Sequence, residues 1–191
     1  MAEIFISVDV ETDGPYPLDY SMLSFGAAAF TADGTMINTF SANLETLPGA
    51  GQHPDTMDWW KTQKAAWEAC RQDTRPAEEV IPEFVKWVKN LDVGGKKYRP
   101  VFVGYPTGFD FTFMYVYMMK FAGESPFSFS ALDMKTMAMV LLNLDFRSST
   151  KRNFPRNWFG KSRHDHIAVH DAIEQGELFI KMLKEVREEE R

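Results

Sequence analysis

The chain has 191 residues, 45% of them hydrophobic and 25% charged, which is enough apolar material for one sizeable core. Its net charge of −6 excludes a protein that coats nucleic acid through a broad basic surface, though not one that grips a few nucleotides locally. A lone cysteine, Cys70, excludes a disulfide framework and a thiolate zinc centre, and no stretch approaches the roughly 18 apolar residues of a membrane span. With a strand pattern at its start in place of a secretory leader, the chain is expected to be soluble, intracellular and cytoplasmic.

Ile4, Ile6, Val8 and Val10 alternate with Phe5, Ser7, Asp9 and Glu11, the period-2 pattern of a strand. A turn-rich loop, Asp13 to Ser21, follows. MLSFGAAAFTADGTMINTFSANL then reads as two strands around the turn Ala32-Asp33-Gly34, so the first three strands are expected to form an antiparallel meander. From Asp55 the spacing becomes helical: DTMDWWKTQKAAWEAC predicts one helix, with Pro54 at its entry. RPAEEVIPEFVKWVKNL predicts a second, with Ile81, Phe84, Val85 and Val88 on one face and Pro82 expected to kink it or move its start. RPVFVGY is the short apolar run of a buried parallel strand. A helix over FDFTFMYVYMMKF, a short strand near Phe127–Leu132, a helix over DMKTMAMVLL and a last helix from Ile167 to Glu190 complete the chain. A β-meander followed by alternating α and β elements predicts a mixed sheet with helices on both faces, in one domain over residues 1–191.

The carboxylates carry the chemistry. Asp9 and Glu11, two residues apart on a strand, point the same way. In open α/β sheets sites form at the carboxyl ends of strands, where GYPTGFD delivers Asp110 and the last helix offers Asp171. Four carboxylates meeting there repel one another unless cations sit among them. All-oxygen donors suit Mg²⁺ or Mn²⁺, and two such ions about 4 Å apart form the clamp of phosphoryl-transfer sites.

The order Asp9-x-Glu11, Phe109-Asp110 and His166-x-x-x-x-Asp171 resembles the DEDDh exonucleases, ribonuclease H-like 3′–5′ exonucleases that include polymerase proofreading subunits and oligoribonucleases. LSFGAAAF is similar to the family's "IGAV" element, and DTMDWWKTQ is similar to a bacterial and phage subgroup related to exonuclease VIII. The resemblance spans most of the chain and implies a ribonuclease H-like, five-stranded mixed sheet, a three-strand antiparallel meander plus parallel strands. It implies that Asp9, Glu11, Asp110 and Asp171 hold two Mg²⁺ or Mn²⁺ ions, that His166 is the general base, and that Thr12 contacts the terminal nucleotide. The substrates implied are 3′ ends of single-stranded or frayed RNA or DNA, and the products nucleoside 5′-monophosphates. Two positions depart from the family pattern: Tyr105-Pro106 where His-Asn is frequent, and Ser24 where Glu often precedes the glycine element.

Beside the resemblance stand plainer readings. An aspartate such as Asp110 often opens a helix as its N-cap. His166 and His170, one helical turn apart, could imitate a metal pair, whereas His164 and His170 read as solvated or capping residues. A regular helix sets His166 and Asp171 about 140° apart, so their joint action requires His166 to lie in the loop or in a frayed first turn, with Asp165 or a neighbour as N-cap. Between Arg147 and Arg163 are six basic residues and no acidic ones. A solvated loop is the default for such a run, but its place before His166 makes Arg152, Arg156 and Arg163 candidates for substrate phosphates. Phe154, Trp158 and Phe159 there could stack bases or pin the loop to the core, and Trp59, Trp60 and Trp67 are expected to pack. The rival reading is a nucleic-acid-binding or scaffolding module with a silent site; the presence of all five motif positions counts against it. A second rival acts on a small phosphodiester or nucleotide. The sequence fixes neither an oligomeric state nor a choice between RNA and DNA.

Overall fold

The alternating N-terminal stretch becomes the central strand of a sheet. The structure, a computed structural model, describes residues 2–95, 98–160 and 165–188. Strand β1 (Ala2–Thr12) pairs antiparallel with β2 (Met22–Thr31), which pairs antiparallel with β3 (Met36–Asn43). On its other side β1 runs parallel to β4 (Tyr98–Gly104), and β4 to the short β5 (Ala131–Asp133), giving the order β3-β2-β1-β4-β5. This is the expected five-stranded mixed sheet, with the last strand somewhat later than Phe127–Leu132. The β2–β3 turn closes through Gly34, at φ +99°, and through Asp33 Oδ1, which accepts from Thr35 N at 2.9 Å.

The alternation in β1 sorts its side chains into two layers. Ile4, Ile6, Val8 and Val10 join a core with Phe84, Val85 and Val88 of α3 (Ala77–Asn90) and Phe113 and Tyr117 of α4 (Thr107–Phe121). Phe5 faces the opposite layer, packing on Phe179 of α6 (Ala168–Glu188), with Met134 and Ala138 of α5 (Met134–Leu141) alongside. Helix α3 runs through Pro82 rather than starting after it.

One predicted helix is two. The stretch after Pro54 forms α1 (Pro54–Trp60) and α2 (Lys64–Cys70). Thr62 Oγ1 donates to Trp59 O at 2.7 Å, a side-chain bond that competes with continuation of the helix. The break lets Trp60, Ala66 and Cys70 converge on Leu23 in a small satellite core.

Candidate active site

Three local features bring distant acidic residues to the carboxyl end of β1. The first is α4. Its N-cap is Pro106, so Asp110 lies inside the first turn and its carboxylate is not spent on capping. Instead Asp110 Oδ1 accepts from Val10 N at 3.2 Å, which fixes it between Asp9 and Glu11. The second is Gly26, the cross-strand partner of Asp9. A Cβ there would lie 2.2 Å from Val169 N, so only glycine lets the first turn of α6 settle onto the sheet beside Asp9. This is the physical content of the glycine in LSFGAAAF. The third is Gln175, whose Nε2 donates to Ser7 Oγ at 3.0 Å and Val8 O at 3.1 Å, locking α6 to β1 one turn after Asp171.

Glu11, His166 and Asp171 each offer a ligand atom, and these lie within 4.8 Å of one another. His166 stands ahead of α6 in a left-handed backbone conformation, φ +59°, which satisfies the requirement for joint action with Asp171. Asp165 shapes this turn: its Oδ1 accepts from Ile167 N at 3.1 Å and its Oδ2 pairs with His170 Nδ1 at 2.9 Å. His170 therefore serves the turn, in keeping with its reading as a capping residue. Arg163 and His164 lie outside the described residues.

The electrostatics are those of carboxylates forced together. Burial, then the charges of Asp110, Glu11 and Asp171, hold the Asp9 carboxyl well above the ordinary carboxylate range, with Lys151 opposing them. Burial, then Asp171 and Asp110, pushes Glu11 up to about 8. Burial pushes Asp110 up to about 7 despite the bond from Val10 N–H. A crowded, oxygen-rich cluster whose members resist ionisation is one that divalent cations relieve, and the donor set fits Mg²⁺ or Mn²⁺.

Beside the cluster is a cleft of about 350 Å³ lined by Val10, Glu11, Thr12, Pro15, Trp59 and Phe109, among others. Thr12 Oγ1 donates to Gly14 O, and its carbonyl accepts from Trp60 Nε1, both at 2.9 Å, so the rim of the cleft is built from ordered main chain. Trp60 and Trp67 pack, as expected, but Trp59 does more: it is 38% exposed, faces the cleft and meets the His166 ring edge-on at 5.0 Å. Consecutive helical residues point about 100° apart, so a tandem Trp59-Trp60 cannot bury both rings against one surface, and that signal was available in the sequence.

The basic loop divides into pinned and exposed parts. Phe154 and Trp158 are buried and pin the loop to the core; Trp158 Nε1 donates to Glu185 Oε1 at 2.5 Å. Arg152 and Arg156 are exposed, and among the described residues neither has an ion-pair partner.

A five-stranded mixed sheet flanked by helices, with carboxylates gathered at the end of its central strand, defines a ribonuclease H-like exonuclease fold. Among solved structures the chain is similar to the nuclease domain of 3′hExo, a DEDDh family member, bound to rAMP. That match has a TM-score of 0.70 and 10% identity over 96% of this chain and 93% of that one. It is also similar to the Mg²⁺- and Mn²⁺-bound form of S. pombe Pop2p, with a TM-score of 0.64 and 14% identity over 93% and 82% of the two chains. In sequence it is 33% identical over 178 residues to the 3′-5′ DNA exonuclease Cap18 of Escherichia coli, covering 93% of this chain and 90% of that protein. The 3′-5′ exoribonuclease Rv2179c-like domain family matches residues 4–183, and the chain belongs to it. It is a 3′–5′ exonuclease, a phosphodiester hydrolase.

Proposed function

We propose that the chain hydrolyses the terminal phosphodiester bond at the 3′ end of single-stranded or frayed RNA or DNA by a two-metal mechanism, releasing nucleoside 5′-monophosphates. The observation that carries this reading is the convergence of Asp9, Glu11, Asp110 and Asp171 at the end of β1, with His166 in reach of Glu11 and Asp171. The four carboxylates would hold two Mg²⁺ or Mn²⁺ ions, which supply a polarised phosphoryl group and an acidified water.

The protein's own groups do the rest. His166 takes the proton of the attacking water; the water oxygen bonds to phosphorus, the P–O3′ bond breaks, and the departing 3′ oxygen is protonated by solvent. The Trp59 ring limits how the imidazole can turn. The terminal nucleoside occupies the cleft between Trp59 and Phe109, with Thr12 main chain at its rim. Arg152, Arg156 and Arg163 meet phosphates farther along the strand.

RNA and DNA both remain substrates in this reading, because the chain belongs to a family of exoribonuclease domains and is similar to a DNA exonuclease. Incubation with Mg²⁺ or Mn²⁺ and end-labelled RNA and DNA oligomers tests it. Stepwise shortening from the 3′ end with release of monophosphates is expected. Mn²⁺ binding with no release from either polymer would favour a silent site.

A further inference from the structure

Among the described basic residues of the loop, Lys151 is the one turned inward. Lys151 opens a short 3₁₀ turn, Lys151–Asn153, and its Nζ donates to Glu174 Oε2 at 2.9 Å. Glu174 is 7% exposed and stands three residues after Asp171, so both carboxyl groups share one face of α6. The ammonium thus sits at the margin of the carboxylate cluster, close enough for its charge to act on Asp9.

The loop holds it there firmly. Tyr105 Oη donates to Ser149 O at 2.9 Å, and Ser149 is fully buried. Phe154 meets Tyr105 edge-on at 5.7 Å and Trp158 at 5.4 Å. Lys151 lies between these anchors while its neighbour Arg152 points to solvent.

Hydrogen-bonding capacity gives the inward lysine a use. Two divalent ions would offset four carboxylates, and Lys151 and Glu174 offset one another. An incoming phosphodiester adds a negative charge, which grows on the phosphoryl oxygens during attack and favours donors aimed at them. An ammonium has three donors, of which Glu174 takes one.

We propose that Lys151, positioned by Glu174, contacts substrate by donating a hydrogen bond to a non-bridging oxygen of the scissile phosphate. The inference deepens the reading above and rests on it. It adds a phosphate-binding cation distinct from the exposed arginines, one that makes no demand on base or sugar.

Lys151→Met, Lys151→Arg and Glu174→Gln test it through three measurements: calorimetric affinity for Mn²⁺ alone, affinity for AMP in the presence of Mn²⁺, and single-turnover cleavage of a labelled oligomer. Lys151→Met should bind Mn²⁺ within about threefold of wild type yet lose about 10- to 100-fold in cleavage and about 10-fold in AMP affinity, the loss of a charge-assisted hydrogen bond. Lys151→Arg should recover most of both, and Glu174→Gln should lose less than Lys151→Met. Wild-type AMP binding and cleavage in Lys151→Met overturn the proposal. So do equal losses of cleavage and of melting temperature in Lys151→Met and Glu174→Gln, which would make the pair a tether between loop and helix. If Lys151→Met does not fold, Lys151→Arg decides: retained AMP affinity supports the contact, and a 10-fold loss overturns it. A wild-type protein that releases no monophosphate defeats the exonuclease reading itself, a separate result.

Discussion

The two faces of β1 are built from one stretch of chain and obey different rules. On one face Ile4, Ile6, Val8 and Val10 are all apolar and sealed against α3 and α4. On the other, Phe5, Ser7, Asp9 and Glu11 grade from a buried ring, through a hydroxyl bonded to Gln175, to two carboxylates. The first face contributes stability through area removed from water. The second uses the rigidity so gained to hold like charges together, an arrangement that costs folding energy in the absence of cations. Stability and chemistry are therefore separable by side-chain parity along a single strand.

The largest effect expected from breaking the charged face is on turnover. Asp110→Asn, which keeps shape and removes charge, should lower cleavage by at least about 1000-fold, as loss of several kcal/mol of metal-borne stabilisation requires, while the protein stays folded. Full activity in that variant would end the metal assignment. His166→Ala should cost roughly 100- to 10,000-fold, the range of a general base, against only a few-fold for His170→Ala. Equal losses in the two would show that the base had been misassigned.

On the apolar face the sign reverses. Phe84→Ala, deep in the α3 layer, should lower unfolding free energy by about 3–5 kcal/mol in denaturant titration while the folded fraction keeps its specific activity. A selective loss of turnover at unchanged stability would contradict the division between faces.

The subtlest effect is in pH. Glu11 and Asp110 have native values raised to about 8 and about 7, so the metal-free native state binds more protons than the unfolded chain. Their stabilising contribution is whole below the ordinary carboxylate value and disappears as pH rises through 7 and 8. Metal-free protein should therefore melt at a lower temperature at pH 9 than at pH 6, and saturating Mg²⁺ should raise the melting temperature most at the alkaline end. A metal-free melting temperature that climbs from pH 6 to pH 9 contradicts this.

Much of this division was legible in the residues themselves. The parity of β1 announced both faces, and the order of Asp9, Glu11, Asp110, His166 and Asp171 announced the family. Arithmetic on 3.6 residues per turn required His166 to lie in the loop or in a frayed first turn, and it lies in the loop ahead of α6. What stayed hidden depended on contacts between distant segments. The break at Thr62 follows from a side-chain bond and a satellite core that helical spacing does not encode. The sorting of the basic loop into pinned aromatics, exposed arginines and an inward lysine depends on bonds to Tyr105, Glu174 and Glu185 that span 23 to 44 residues, farther than any local pattern reaches.

Trp59 has a practical consequence. It is the only exposed member of the five tryptophans, and it touches both the imidazole and the cleft beside the carboxylates. Its indole emission is thus an internal gauge of occupancy: a base entering beside it should quench the solvent-sensitive part of the fluorescence, over a background from the buried Trp60 and Trp158 and the half-buried Trp67 and Trp87. The enzyme carries its own optical probe at the cleft proposed for the terminal nucleoside, so binding there can be followed without labelling either partner.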